Sequence, residues 1–251
     1  MANSGKRLWD WLKKPRRQSP IRTRRPKFRP WLEQLETRDV PSTFQVVNTD
    51  DNGLGSLRQA ILDANITVGA DRIEFNIGAG GVQSIQVVTE LPAIADPVVL
   101  DATTQPGFAG TPIIEIRGDL AGAGANGLVI TAAGSTVRGL VINRFGGNGI
   151  LVTGSSNVIV GNYIGTDATG TAALGNALDG VRIESGAQFN TIGGTTVGAR
   201  NVISGNAGDG VVMTGSGATG NVVQGNYIGT DATGMLDLAN GLVGVAVENG
   251  A

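Results

Sequence analysis

The chain has 251 residues, 41% of them hydrophobic and 4% aromatic, with a formal net charge of -2. It contains neither cysteine nor histidine, which excludes disulfides, thiolate or imidazole metal sites, and Ser-His-Asp or Cys-His nucleophile systems. The near-neutral total hides a split: residues 1–40 hold 12 Lys/Arg against 4 Asp/Glu, and residues 41–251 hold 7 against 17.

Residues 1–30 are basic, proline-broken and poor in aliphatic side chains, so this stretch is expected to be disordered in isolation. Its eleven Lys/Arg interleave with Trp9, Trp11 and Phe28, which leaves a targeting or sorting role, a nucleic-acid contact and a passive tail all open. No sequence-specific nucleic-acid partner is expected. No apolar run follows the basic one, so an ordinary secretory signal does not fit, and no stretch is long enough to span a bilayer. The basic segment is assigned to residues 1–42.

From Thr43, STFQVVNTDD reads as a strand, and GLGSLRQAILDAN reads as an amphipathic helix. Leu54, Leu57, Ile61 and Ala64 share one face, with Ser56 as N-cap and Asn65 as the stop. Such a helix would cover the apolar end that the first coil of a solenoid exposes. DRIEFNI, SIQVV, DPVVLDATTQPG and TPIIEIRG follow as short strands between Pro/Gly turns. Residues 43–125 are therefore read as a cap with irregular first coils.

Residues 126–251 are read as regular coils. The phrase GNYIGTDATG occurs twice, at 161–170 and 225–234. NGLVIT, NGILVT, DGVRIE, DGVVMT and VGVAVE repeat around it, with their glycines at Gly127, Gly149, Gly180, Gly210 and Gly244. Self-similarity at such a period means stacked supersecondary units. Alternation within each phrase predicts inward columns Leu128, Ile150, Val181, Val211, Val245 and Ile130, Val152, Ile183, Met213, Val247. The second phrase, STVRGLVIN, NVIVGNYIG and NVVQGNYIG, predicts Val137, Ile159, Ile192, Val223 and Ile142, Ile164, Ile203, Ile228, with TTVGAR at 195–200 as an inserted loop. Like stacked on like is a parallel β-solenoid, an all-β fold. The Asx-Gly pairs ahead of the strands are expected to supply positive φ. Two columns, Asn157, Asn190, Asn221 and Asn162, Asn201, Asn226, are expected to hydrogen-bond from coil to coil.

These phrases resemble the right-handed parallel β-helix proteins of the pectin-lyase-like superfamily, in particular a bacterial repeat group with NxIxGNxIGTDxTG and ARNVISGNxxDGV; the likeness covers 43–251. The family implies the right hand, a single-stranded β-helix and an N-terminal capping helix on GSLRQAILDAN. RPWLEQLETRDVPS, at 29–42, is similar to the LEPR-type segment that precedes the repeats of large bacterial surface proteins, with Thr37 where that segment has proline. This implies a cell-surface or extracellular location and an envelope or polysaccharide partner.

Superfamily lyases need a calcium-binding acidic cluster and an Arg or Lys base; hydrolases need paired carboxylates. The outward columns are Val129, Leu151, Arg182, Val212, Ala246 and Thr131, Thr153, Glu184, Thr214, Glu248. Arg182, Glu184 and Glu248 are thus the candidate catalytic residues, the carboxylates being two coils, or ~9.6 Å, apart. Asp167 and Asp231 of the GTDATG loops, also two coils apart, are the candidate calcium ligands, set against an Asx-turn role. Tyr163 and Tyr227 are placed to stack on each other or on a sugar. The function expected is a non-catalytic envelope or extracellular repeat module, structural or adhesive; the alternative is a polysaccharide lyase or glycoside hydrolase. Since the chain stops part way through a coil, further coils or self-association at that end are expected.

Overall fold

In the computed structural model, residues 41–78 and 80–251 are described. The basic segment assigned to 1–42 lies, except for its last two residues, outside them.

Short Val/Ile/Thr-rich runs bounded by glycine form strands here because β-branched side chains suit a pleated surface. Among the described residues they make three parallel sheets. The first runs through Thr43–Val46, Asp71–Phe75, Val98–Asp101, Thr136–Arg138, Val158–Val160, Thr191–Gly193 and Val222–Gln224. The second runs through Gln83–Gln86, Ile114–Arg117, Leu140–Asn143, Tyr163–Ile164, Val202–Ile203 and Tyr227–Ile228. The third runs through Leu128–Ile130, Ile150–Val152, Val181–Ile183, Val211–Thr214 and Val245–Glu248. From Leu128 the chain visits third, first and second sheet in turn on every circuit, an arrangement consistent with a parallel solenoid. The third sheet starts only at Leu128, which is why the earlier coils read as irregular.

All four inward columns occur in the register that alternation predicts, for instance Val181 on Ile150 and Val211, and Ile159 on Val137 and Ile192. Most of these side chains are fully buried and form one continuous core. In the last strand of the third sheet, Val245 and Val247 remain 44% and 62% exposed. The outward column is less open than alternation alone implies: Val129 and Leu151 are half-buried, while Val212 and Ala246 are buried. Nothing in the described residues explains that burial.

The single α-helix among the described residues is Leu57–Ile66. Ser56 caps it, its hydroxyl accepting from the Gln59 N–H, and Leu57, Ala60, Ile61 and Ala64 are buried. Two details differ from expectation. Leu54 is 92% exposed, because it precedes the cap and the chain turns away there. Asn65 does not stop the helix but sits inside it, donating to the Ala93 carbonyl and accepting from the Ala95 N–H.

Buried asparagines hold successive coils together. In the Asn157, Asn190, Asn221 column each side-chain oxygen accepts the backbone N–H of the preceding coil, at 2.7–2.9 Å. Asn162, Asn201 and Asn226 do the same for Leu140, Asn162 and Asn201. Their amide nitrogens return to the carbonyls of Val137, Ile159 and Ile192. A third ladder, Asn176, Asn206 and Asn240, escaped the sequence reading although GNA occurs at 175–177 and again at 205–207. The Asx residues of the Asx-Gly pairs form a fourth, in the opposite sense: Asn126, Asn148, Asp179 and Asp209 accept from Asn148, Asp179, Asp209 and Val243 of the following coil.

The glycines of those pairs have a different role from the one expected. None of Gly127, Gly149, Gly180 and Gly210 has positive φ. They are needed for close approach: a Cβ on Gly180 would lie 2.6 Å from the Gly210 carbonyl oxygen and against the Ile203 methyl.

Candidate functional site

The structure brings Arg182 and Glu184 together and leaves Glu248 apart. The Arg182 Nε donates to Glu184 at 2.7 Å, and its other arm reaches Asp179 at 3.0 Å. Glu248 pairs with Thr214, which stands between it and the Glu184 coil. The hydrogen bond to Glu184, together with that to Asp179, raises the Arg182 pKa further above its ordinary value. A guanidinium held this firmly protonated is poorly suited to act as a base.

Both GTDATG loops close on their own aspartate. Asp167 accepts from the backbone of Thr171 and Ala172 at 3.0 and 3.1 Å and from the Thr169 hydroxyl at 2.6 Å. Asp231, 1% exposed, accepts from Met235, Leu236 and the Thr233 hydroxyl in the same way. Burial alone would raise the Asp167 carboxyl, but the Thr169 hydroxyl and the loop N–H groups outweigh it and hold the pKa below the ordinary value. These are the Asx-turn contacts that the loop sequence allows. Among the described residues no three acidic side chains converge as metal ligands. Although their strands lie two coils apart, the loops touch, the Ala232 N–H donating to the Gly170 carbonyl at 2.9 Å. The coil between them has only a bend at Gly205 in the corresponding place.

Tyr163 and Tyr227 do not stack on each other, because Val202 lies between them in the second sheet. The Tyr227 ring instead lies under the Arg200 guanidinium, 4.1 Å from its centroid.

Among the described residues, clefts open at two places that bear on function. One, of about 530 Å3, is walled mainly by Gly and Ala backbone beside Arg144 and Phe145. The other, of about 440 Å3, lies over the corner where the chain passes from the first sheet to the second, at Arg138–Gly139 and Val160–Gly161. Loop residues 103–112 and 196–200 wall it, and Ala232 of the second GTDATG loop closes one end. Its size is in the range of small-molecule pockets. The TTVGAR insertion at 195–200 is visible in the amino-acid sequence, whereas the cleft it helps to wall is not.

The cleft wall is anchored by Asp101. This carboxylate is 1% exposed, ion-pairs with Arg138 and Arg72, and accepts from the Thr103 N–H and hydroxyl. Burial raises its pKa, but the hydrogen bonds from Arg138 and Thr103 more than offset that and the net shift is downward. Its stabilisation is therefore complete above the unfolded carboxylate pKa, near ~4, and is lost as pH falls through the lower folded value. Asp101→Asn is expected to cost about 2 kcal/mol at neutral pH, since both arginines keep some solvent. The difference between wild type and variant should shrink in urea titrations as pH falls below the ordinary carboxylate range and Asp101 takes up its proton.

No model of a known protein family matches the chain, and no curated protein matches it.

Proposed function

We propose that the chain is a right-handed parallel β-helix of pectin-lyase-like type that serves as a non-catalytic cell-envelope or extracellular module. It acts as a rigid spacer or adhesion surface with polysaccharide as its partner. The observation that carries this reading is the set of four side-chain ladders. They cross-link coil to coil through buried hydrogen bonds and favour a stiff rod. The pairing of Arg182 with both Glu184 and Asp179 also favours a structural role for that charged trio. Leu57–Ile66, packed on Thr43–Val46 and Asp71–Phe75 with its apolar face buried, supports the capping role. The surface location rests on RPWLEQLETRDVPS; no helix among the described residues is long and apolar enough to cross a membrane.

The test is a cleavage and binding screen of the full chain against neutral and anionic polysaccharides, in calcium and in chelator. Co-sedimentation with a polysaccharide and no new reducing ends or unsaturated products are expected. Product formation that disappears in Glu184→Gln or Arg182→Ala would replace this reading with a lyase or hydrolase. Protease treatment of intact cells should degrade the protein if it is surface-exposed; full protection would remove the location from the proposal.

A further inference from the structure

The corner cleft differs chemically from the body that carries it. Residues 41–251 hold 17 acidic side chains against 7 basic ones, yet the cleft is lined by two arginines and by no Asp, Glu, Asn or Gln. Arg200 takes part in none of the ion pairs among the described residues. Its Nε donates to the Gly225 carbonyl at 3.0 Å, and its guanidinium carbon sits over the Tyr227 ring, 4.1 Å from the centroid. That contact orients the fork while its two terminal nitrogens have no hydrogen-bond partner among the described residues. Arg138 spends one arm on Asp101, and its Nε is buried without a partner. The remaining wall carries Phe108, Val197, Val202 and the Tyr163 ring, with Thr103 and Thr196 as its hydroxyl side chains.

These features select a ligand by exclusion as well as by fit. A sugar presents several hydroxyls that are held best by carboxylate or amide acceptors, and the cleft offers it the hydroxyls of Thr103, Thr196 and Tyr163 but no carboxylate or amide. A neutral apolar molecule would leave Arg200 unpaired beside it, which is costly for a desolvated charge. A single flat ring carrying one carboxylate satisfies both walls: the fork takes the two oxygens, and the ring lies against Phe108, Val197 and Val202. We propose that this cleft binds one small aromatic carboxylate per chain, with Arg200 as the principal anion-binding residue. The proposal does not rest on the polysaccharide reading above.

The test is isothermal titration of the full chain with benzoate, benzyl alcohol and galacturonate. Benzoate is expected to bind saturably, one per chain and at millimolar concentration or below, and the other two at least about tenfold more weakly. Arg200→Gln should weaken benzoate about tenfold. Val197→Asp should abolish binding by placing a carboxylate in the cleft, and because Val197 is 80% exposed this variant should keep its fold by circular dichroism. Absence of saturable benzoate binding would overturn the proposal. Equal binding of benzyl alcohol would show the cleft to be merely apolar, and tighter binding of galacturonate would make it a sugar-acid site; either outcome overturns it. So would benzoate affinity that survives both substitutions in folded protein.

Discussion

Asn201→Ala is expected to destabilise the protein by roughly 3 to 5 kcal/mol, a large share of the net stability of an ordinary domain. Asn201 is fully buried. Its oxygen accepts the Asn162 N–H at 2.9 Å, and its amide donates to the Ile159 carbonyl at 2.8 Å and the Asn226 oxygen at 2.9 Å. Alanine leaves the Asn162 N–H buried without a partner and strips one from the Ile159 carbonyl, at about 1–3 kcal/mol each before any water enters, while the Asn226 oxygen keeps the Asn201 backbone N–H. Asn126→Ala is the contrast: at the half-buried start of its ladder it bridges Asn148 and exposed Glu90, and its loss should cost about 1 to 2 kcal/mol, less than that of Asn201. Urea denaturation followed by circular dichroism checks both. A broadened transition in Asn201→Ala would locate the damage to neighbouring coils, since a repeat array can lose cooperativity there.

Gly180→Ala is the second large effect, expected at roughly 2 to 4 kcal/mol although it adds one methyl group. The obstructing atom is the Gly210 carbonyl oxygen, which accepts the Val181 N–H at 2.9 Å and cannot retreat without opening the sheet. Gly244 tests the explanation. It occupies the same column, but the nearest atom to a Cβ there is the Ile228 methyl at 3.5 Å, so Gly244→Ala should be within about 0.5 kcal/mol of wild type. If the two substitutions cost the same, close approach between coils is not the reason for glycine in this column.

The positions of Val181 and Ile159 could be read from the chain because a parallel stack pairs each residue with its equivalent one coil away. Repeat alignment then amounts to strand register. The Asn157 and Asn162 ladders were legible for the same reason, and the Asn176 ladder left a shorter trace in the repeated GNA. Alignment could mark Gly180 as required but could not say why, because positive φ and a close carbonyl leave the same residue in the sequence. Arg182 and Glu184 were placed on one face by alternation, whereas the second bond of Arg182, to Asp179, depends on a turn three residues away.

The parallel all-β stack, its inward columns and two of its ladders are written in the amino-acid order, since they repeat at every coil and report only nearest-neighbour contacts. Three features emerge only from the folded chain: the GTDATG loops meet across an intervening coil, Arg200 lies on Tyr227, and the insertions near residues 103–112 and 196–200 enclose one cleft. Those contacts join loops that occur once or at unequal spacing, and no periodic signal records where a loop folds once it has left the stack.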